Sequence, residues 1–309
     1  MKLKKPKFWS LKGPSLYSLI LTPISILIQS ISKISIRKKF DSNKILKVCV
    51  GNIYIGGTGK TSLCLKINKM LKNKKIKTCF IKKYYKNQFD ERNLLSSNGY
   101  LISTKNRKNS LLKAINENFK VAIFDDGLQD NTIQYDKKFV CFNNKNWIGN
   151  GKTIPAGPLR ENLNSLKKYE DVILNGNLEN INTIKKQLKR INPGLNIFIG
   201  EYIPINIKKF SKKKKYIVFS GIGNHDTFVK MLLKYKFKIV EDFEFPDHYD
   251  YNLDDIDKII NLSKKINCSI LTTEKDYERL KRITRYKFGI IKVDLKIHNE
   301  KKLLSRILN

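Results

Sequence analysis

Two short clusters of residues in this chain could do chemistry together. The first is Gly56-Gly57-Thr58-Gly59-Lys60-Thr61, a glycine-rich turn between an apolar run and an amphipathic one. Backbone N–H groups in such a turn can wrap phosphates, and the helix that follows adds the positive end of its dipole. Lys60 can then reach the β- and γ-phosphates, and Thr61 can hold Mg2+. The spacing departs from the strict phosphate-loop pattern in one place, since Tyr54 stands where that pattern has its first glycine. The second cluster is Asp125-Asp126, which ends the apolar run Val121-Ala122-Ile123-Phe124. A phosphate loop needs an acidic partner for its metal at the end of a neighbouring strand, and these carboxylates supply it. Asp-Asp-Gly is also good turn chemistry, but beside the loop at 56–61 the metal role is favoured. By themselves these residues leave kinase, ATPase and GTPase open.

The elements that must position them alternate strand and helix. Residues 45–55 read as a buried strand, 61–74 as an amphipathic helix and 76–81 as a second short strand. The stretch 82–107 is polar and reads as irregular, with Asn98-Gly99 as a turn signal. A helix at 110–118 leads into the strand that ends in Asp125. Residues 139–142 and 171–174 are further short strands, and 197–207 is extended. This order predicts an α/β fold, with a phosphate-loop NTPase-like parallel sheet lobe. The run 211–215 marks a boundary, after which 216–220, 226–235 and 269–272 form a second, smaller α/β lobe. Residues 288–297 are again extended and are expected to pair with 197–207 as a ribbon joining the lobes. The expected domains are an N-terminal membrane-anchor helix at 1–40, a phosphate-loop lobe at 41–207 and a smaller lobe at 208–309.

A chain of 309 residues with 41% apolar side chains can bury a substantial core. Its formal charge of +35 favours polyanionic partners such as nucleic acid, anionic lipid or phosphorylated substrates. The excess lysine is spread over the whole chain, however, so most of it is solvated surface rather than one recognition patch. No RRM-type aromatic string, zinc-finger spacing or helix-turn-helix signature is present, and a nucleic-acid partner is not expected. The five cysteines form no C-x-x-C pair, which fits a reducing compartment without a zinc site or disulfide framework. Between Lys12 and Lys33 the chain carries no charge and is rich in Leu and Ile, interrupted by Pro23 and several serines. It reads as a membrane anchor, spanning or partly inserted, with the catalytic lobes facing the cytosol.

Longer strings narrow the chemistry. Val50-Gly51-Asn52 precedes the phosphate loop, Asp125-Asp126-Gly127-Leu128-Gln129 follows, and then come Gly149-Asn150-Gly151 and Pro155-Ala156-Gly157-Pro158-Leu159-Arg160-Glu161. Gly221-Ile222-Gly223-Asn224, Phe245-Pro246-Asp247-His248 and Thr273-Glu274-Lys275-Asp276 complete the series. In kind and order this set resembles the tetraacyldisaccharide 4′-kinases, from the anchor to about residue 280. The resemblance implies transfer of the ATP γ-phosphate, with Mg2+, to the 4′-hydroxyl of a lipid A disaccharide precursor. It also implies the inner (cytoplasmic) membrane, with its anionic lipids, as the working surface, and no obligate protein partner.

The same resemblance implies roles for residues that composition does not single out. Asp90, in Phe89-Asp90-Glu91-Arg92, corresponds to the family's catalytic base, and His248 to the histidine that supports it. Arg160 and Glu161 correspond to residues near the phosphates and metal. The expected catalytic set is therefore Lys60, Asp90, Arg160 and His248, and the expected metal set is Thr61, Asp125, Asp126 and Glu161. Three departures stand out. Where the family carries Ser-Arg-Gly-Tyr-Gly, this chain has Lys82-Lys83-Tyr84-Tyr85-Lys86, in which Lys83 keeps the arginine's charge but not its planar fork. Asp130 stands in place of a histidine, and Tyr54 in place of a small hydroxyl residue. Two alternatives remain open at this point: a phosphate-loop ATPase or GTPase acting on a partner protein, and a family member with altered or lost lipid kinase activity.

Overall fold

The computed structural model describes residues 6–309 apart from 12, 14, 35–38, 86–87, 146 and 177–178. Lys12 and Lys86, both used above, lie outside the described residues. Twelve strands form two sheets among the described residues. The larger contains β1 (Leu46–Gly51), β2 (Thr78–Lys82), β3 (Tyr100–Ile102), β4 (Val121–Asp125), β5 (Lys137–Asn143), β6 (Asp171–Gly176), β7 (Asn196–Pro204) and β12 (Val293–Ile297), in the order β12-β7-β6-β5-β1-β4-β2-β3. All its pairings are parallel except β12 with β7. The smaller sheet, β11-β10-β8-β9, is wholly parallel and uses β8 (Lys215–Ser220), β9 (Lys238–Glu244), β10 (Ser269–Thr273) and β11 (Gly289–Ile291).

The near-continuous apolar strands follow from burial on both faces. Along β1, Cys49 joins a core with Phe124, Val140 and Leu174, whereas Val48 and Val50 face a second core with Ile123 and Phe139. Helix α3 (Lys60–Asn73) places Leu63, Cys64, Ile67 and Leu71 into that second core, the helical spacing that made this segment readable. α5 (Arg107–Asn116) and α6 (Ile181–Ile191) cover the opposite face. In the smaller lobe, α7 (His225–Lys234) and α8 (Leu253–Lys265) cover opposite faces of the sheet, each over its own apolar cluster.

Two expectations are revised. The stretch 82–107 is not irregular throughout, because it holds α4 (Phe89–Ser96) and β3. α4 lacks an apolar stripe because its buried residues are Asp90 and Leu95. It packs on α9 (Glu274–Leu280) of the other lobe, with Asn93 Nδ2 donating to Glu278 at 3.3 Å and the Arg282 guanidinium 3.9 Å over the Phe89 ring. The unit expected at 208–309 is also shortened at its end. β12 pairs antiparallel with β7, from Val293 opposite Pro204 to Ile297 opposite Gly200, which is the ribbon expected between 197–207 and 288–297. α10 (Glu300–Leu308) then packs Leu303 and Ile307 into the larger lobe's core beside α3.

The N-terminal segment forms α1 (Leu16–Ile20) and α2 (Thr22–Ile34), not one long helix. At 1.5 Å per residue the 13 residues of α2 reach about 20 Å, short of the roughly 30 Å of a hydrocarbon core. Among the described residues no helix is long and apolar enough to cross a membrane. The pair is amphipathic in an inverted sense. Ser18 and Ser25 are buried against the protein, while Leu16, Leu19, Ile20, Ile24, Leu27 and Ile31 are exposed. Ser25 Oγ donates to Thr153 O at 2.9 Å and accepts from Ala156 N at 3.0 Å, and Gln29 Nε2 donates to Arg160 O at 2.9 Å.

Candidate active site

The phosphate loop leaves β1 at the centre of the sheet, the point where neighbouring strands diverge to either side. Gly56 (φ 120°) and Gly59 (φ 80°) hold backbone conformations that suit only glycine. A Cβ on Gly59 would also stand 2.3 Å from the Tyr202 hydroxyl and 2.7 Å from Asn175 Nδ2. The loop is pinned from both sides. Asn52 Nδ2 donates to Thr58 Oγ1 at 2.8 Å, and Asn175 Nδ2, from the end of β6, donates to Thr58 O at 2.8 Å. α3 begins at Lys60 and aims its N-terminus at the loop. Tyr54 is buried and pairs with Leu159, between the bonds from Ile55 N to Pro158 O and from Arg160 N to Ile53 O. That short zipper brings the Pro155–Glu161 string to the loop.

β4 delivers the two aspartates. Asp125 is fully buried, and its Oδ2 accepts from Thr61 Oγ1 at 3.2 Å and from Lys82 Nζ at 2.8 Å. Its Oδ1 is buried with no hydrogen-bond partner among the described residues. Asp126 turns into the left-handed region (φ 61°), unusual for a side-chain-bearing residue. Arg107 Nη2 braces that turn by donating to Asp126 O at 2.6 Å, and Arg107 Nη1 pairs with Asp130 at 3.0 Å. Asp130 thus has a charge partner of its own in this chain. Arg160 grips the Asp126 carboxylate with two N–H groups, at 2.8 and 3.3 Å, while Lys60 Nζ stands 3.9 Å away. Burial works against the Asp126 charge, but Lys60 and Arg160 bring its carboxyl down to about 2. Glu161 sits further out. It accepts from Gln129 Nε2 at 2.9 Å and from the Tyr169 hydroxyl at 3.3 Å, and Gln129 Oε1 in turn accepts from Arg160.

A second acidic centre lies where the lobes meet. Asp90 is 1% exposed, and its Oδ2 accepts from Arg279 Nη2 at 2.5 Å with His248 Nδ1 at 3.2 Å. Burial opposes its charge, yet His248 and Arg279 hold its carboxyl well below the usual range. Its Oδ1 is buried without a hydrogen-bond partner among the described residues. Arg279 also donates to Gly221 O at 2.9 Å and to Asp276 at 3.1 Å, so one guanidinium ties α4 to the smaller lobe. Next to Asp90, Glu91 binds Lys82 Nζ at 2.6 Å and Lys275 Nζ at 3.1 Å. The Gly221–Asn224 turn meets the phosphate loop backbone to backbone, since a Cβ on Gly223 would stand 2.4 Å from Gly57 N.

All the catalytic, phosphate-loop and metal candidates therefore gather around one inter-lobe cleft, with Glu161 at its edge. Lys82, Glu91, Arg107, Asn175 and Arg279 complete it without having been assigned roles from sequence. Only Lys82 left a signal, as a charge ending an apolar strand much as Asp125 does. Nothing in the sequence sets 279 beside 90.

Comparison with known proteins adds a family. A model described as tetraacyldisaccharide-1-P 4′-kinase matches residues 17–309. The tetraacyldisaccharide 4′-kinase of Pelagibacter ubique is 57% identical over 308 residues, covering 100% of this chain and 98% of its own. That of Rickettsia canadensis is 32% identical, with 99% and 97% covered. Among solved structures, LpxK from Aquifex aeolicus in complex with ATP superposes with a TM-score of 0.69 at 23% identity, over 95% of this chain and 99% of that one, a likeness of fold.

Proposed function

The chain belongs to the tetraacyldisaccharide-1-P 4′-kinase family, and on that premise we propose how its residues carry the reaction. It is an ATP-dependent phosphotransferase of lipid A biosynthesis, and its acceptor is the 4′-hydroxyl of a tetraacyldisaccharide 1-phosphate. The triphosphate lies along the loop 56–61, with Lys60 between the β- and γ-phosphates. Mg2+ fits the donor set beside it: Asp125 Oδ1 is buried and unpartnered among the described residues, and Thr61 Oγ1 is adjacent. Among the described residues no three His, Cys, Asp or Glu side chains form a metal cage. That suits an ion which keeps phosphate and water oxygens as most of its ligands. When bound, Mg2+ neutralises charge on the transferring phosphate. Asp126 and Glu161 complete the acidic rim, with Asp126 held in place by Arg160.

Asp90 Oδ1 is the acceptor for the sugar hydroxyl's proton. The hydroxyl oxygen forms a bond to the γ-phosphorus as the bond to the β,γ-bridging oxygen breaks, ADP leaves, and the proton passes to Asp90. His248 and Arg279 occupy Oδ2, which leaves Oδ1 as the carboxylate oxygen without a hydrogen-bond partner among the described residues. A carboxylate kept this acidic is a weak base. Most of the acceleration accordingly comes from positioning and from Lys60, Arg160 and Mg2+ around the phosphates. The observation that carries this reading is the buried, partner-held Asp90 across the cleft from the phosphate loop.

The inverted amphipathic pair α1–α2 supports docking on the inner membrane. Its apolar face is free to enter the acyl boundary, while the chain's positive charge favours anionic headgroups. The lobes then work from the cytosolic side on a lipid already in that leaflet. The test is transfer of labelled γ-phosphate to purified tetraacyldisaccharide 1-phosphate in mixed micelles, with Lys60→Ala expected to lower turnover by orders of magnitude. A product at equal rate from both proteins would sink the assignment. Co-sedimentation with anionic but not zwitterionic vesicles, lost on deletion of residues 1–35, tests the membrane reading.

A further inference from the structure

Lys82 has no part in the reaction steps above. It ends β2 at a position where the resembled family carries serine, and it is 3% exposed. A lysine so buried is rare unless it is paired, and this one is paired twice. Its Nζ lies 2.8 Å from Asp125 Oδ2 and 2.6 Å from Glu91 Oε2. Asp125 comes from the strand that serves the nucleotide, and Glu91 from the helix that carries Asp90. Two carboxylate oxygens converging on one point, that of Asp125 fully buried and that of Glu91 half-buried, with Thr61 Oγ1 on the same Asp125 oxygen, is the arrangement by which proteins hold hard divalent cations. Here an ammonium group stands at that point. Asp125 keeps its other oxygen, Oδ1, unpartnered, so the lysine does not displace the nucleotide's own metal.

We propose that Lys82 is a resident cation filling a second cation seat between Asp125 and Glu91, so that this chain works with a single divalent ion. As a positioning residue it also ties α4, and with it Asp90, to the nucleotide strand before substrate arrives. Lys83, whose Nζ lies 5.7 Å over the Tyr85 ring, points to a different partner and does not share this task.

This inference rests on the kinase reading, and the experiment separates the two. Mn2+ binding to the full chain is counted by electron paramagnetic resonance in the presence of a non-hydrolysable ATP analogue. One Mn2+ per chain is expected for the wild type and for Lys82→Arg, and two for Lys82→Ser, in which the converging carboxylates are left without their cation. Phosphate transfer by Lys82→Ser should then need Mg2+ in excess of ATP, whereas the wild type saturates when the two are equal. One Mn2+ in a folded, nucleotide-binding Lys82→Ser would overturn the proposal and leave the kinase reading intact. Two in the wild type would overturn it regardless of how the variants fold. Failure of the wild type to bind the analogue at all would overturn the kinase reading and this inference with it.

Discussion

Replacing Asp90 by asparagine keeps the shape of the side chain and removes its charge, at a site where both can be followed. The wild-type carboxylate is 1% exposed, with Oδ2 on Arg279 and His248 and Oδ1 buried without a hydrogen-bond partner among the described residues. An amide cannot take the hydroxyl proton, and general-base assistance is commonly worth about 10²–10⁴-fold. That range corresponds to roughly 2.7–5.4 kcal/mol of lost transition-state stabilisation. Stability should fall as well, because breaking a buried pair costs about 3–5 kcal/mol. The low end is expected, since Arg279 keeps Asp276 and Gly221 O as partners. ATP affinity should stay within about twofold, because none of Asp90's side-chain hydrogen bonds reaches the phosphate loop. The assay is γ-phosphate transfer to the disaccharide in mixed micelles, with calorimetric titration of MgATP and a thermal melt on the same preparation. Equal losses in ATP affinity and turnover would refute the base assignment and move Asp90 to the nucleotide side. An unchanged turnover would remove it from catalysis altogether.

Gly223→Ala would put a methyl group 2.4 Å from Gly57 N and 2.7 Å from Gly57 Cα, so one backbone must yield. A misplacement of about 1 Å in a catalytic frame costs on the order of 10²-fold. Transfer should fall by about that factor, and MgATP binding by calorimetry should weaken while circular dichroism is unchanged; wild-type affinity would show that the touching turns do not set the loop. Cysteine reactivity is predicted to be confined to one thiol. Cys49, Cys64, Cys79 and Cys141 are buried, with burial raising the Cys79 thiol to about 12, and Cys268 is half-exposed. Iodoacetamide at pH 8 followed by peptide mass analysis should mark Cys268 alone, and early labelling of Cys79 would mean that β2 opens.

The sequence alone determined whatever is written in local pattern. The strand–loop–helix around 56–61 was legible because glycines, an apolar run and a helical stripe lie side by side, and β4 because its apolar residues stop at two aspartates. The ribbon between β7 and β12 was legible from extended patterning at both ends, though not that the chain's last helix returns to the larger lobe. Asp90 and His248 were reachable only through family strings, since a solvated acid in a polar loop and a turn histidine look the same in one dimension. The N-terminal anchor was read from hydropathy as a possible span. Folding instead broke it into two short helices whose Ser25 and Gln29 face the 153–160 loop, because those side chains find backbone partners there that lipid could not offer. Tertiary structure decided the rest. Arg279 meets Asp90, Asn175 pins Thr58, and Lys82 joins Asp125 to Glu91, pairs separated by 189, 117 and 43 residues. Charge pairing inside a cleft depends on distance and burial, and neither exists until the sheet has brought the strand ends together.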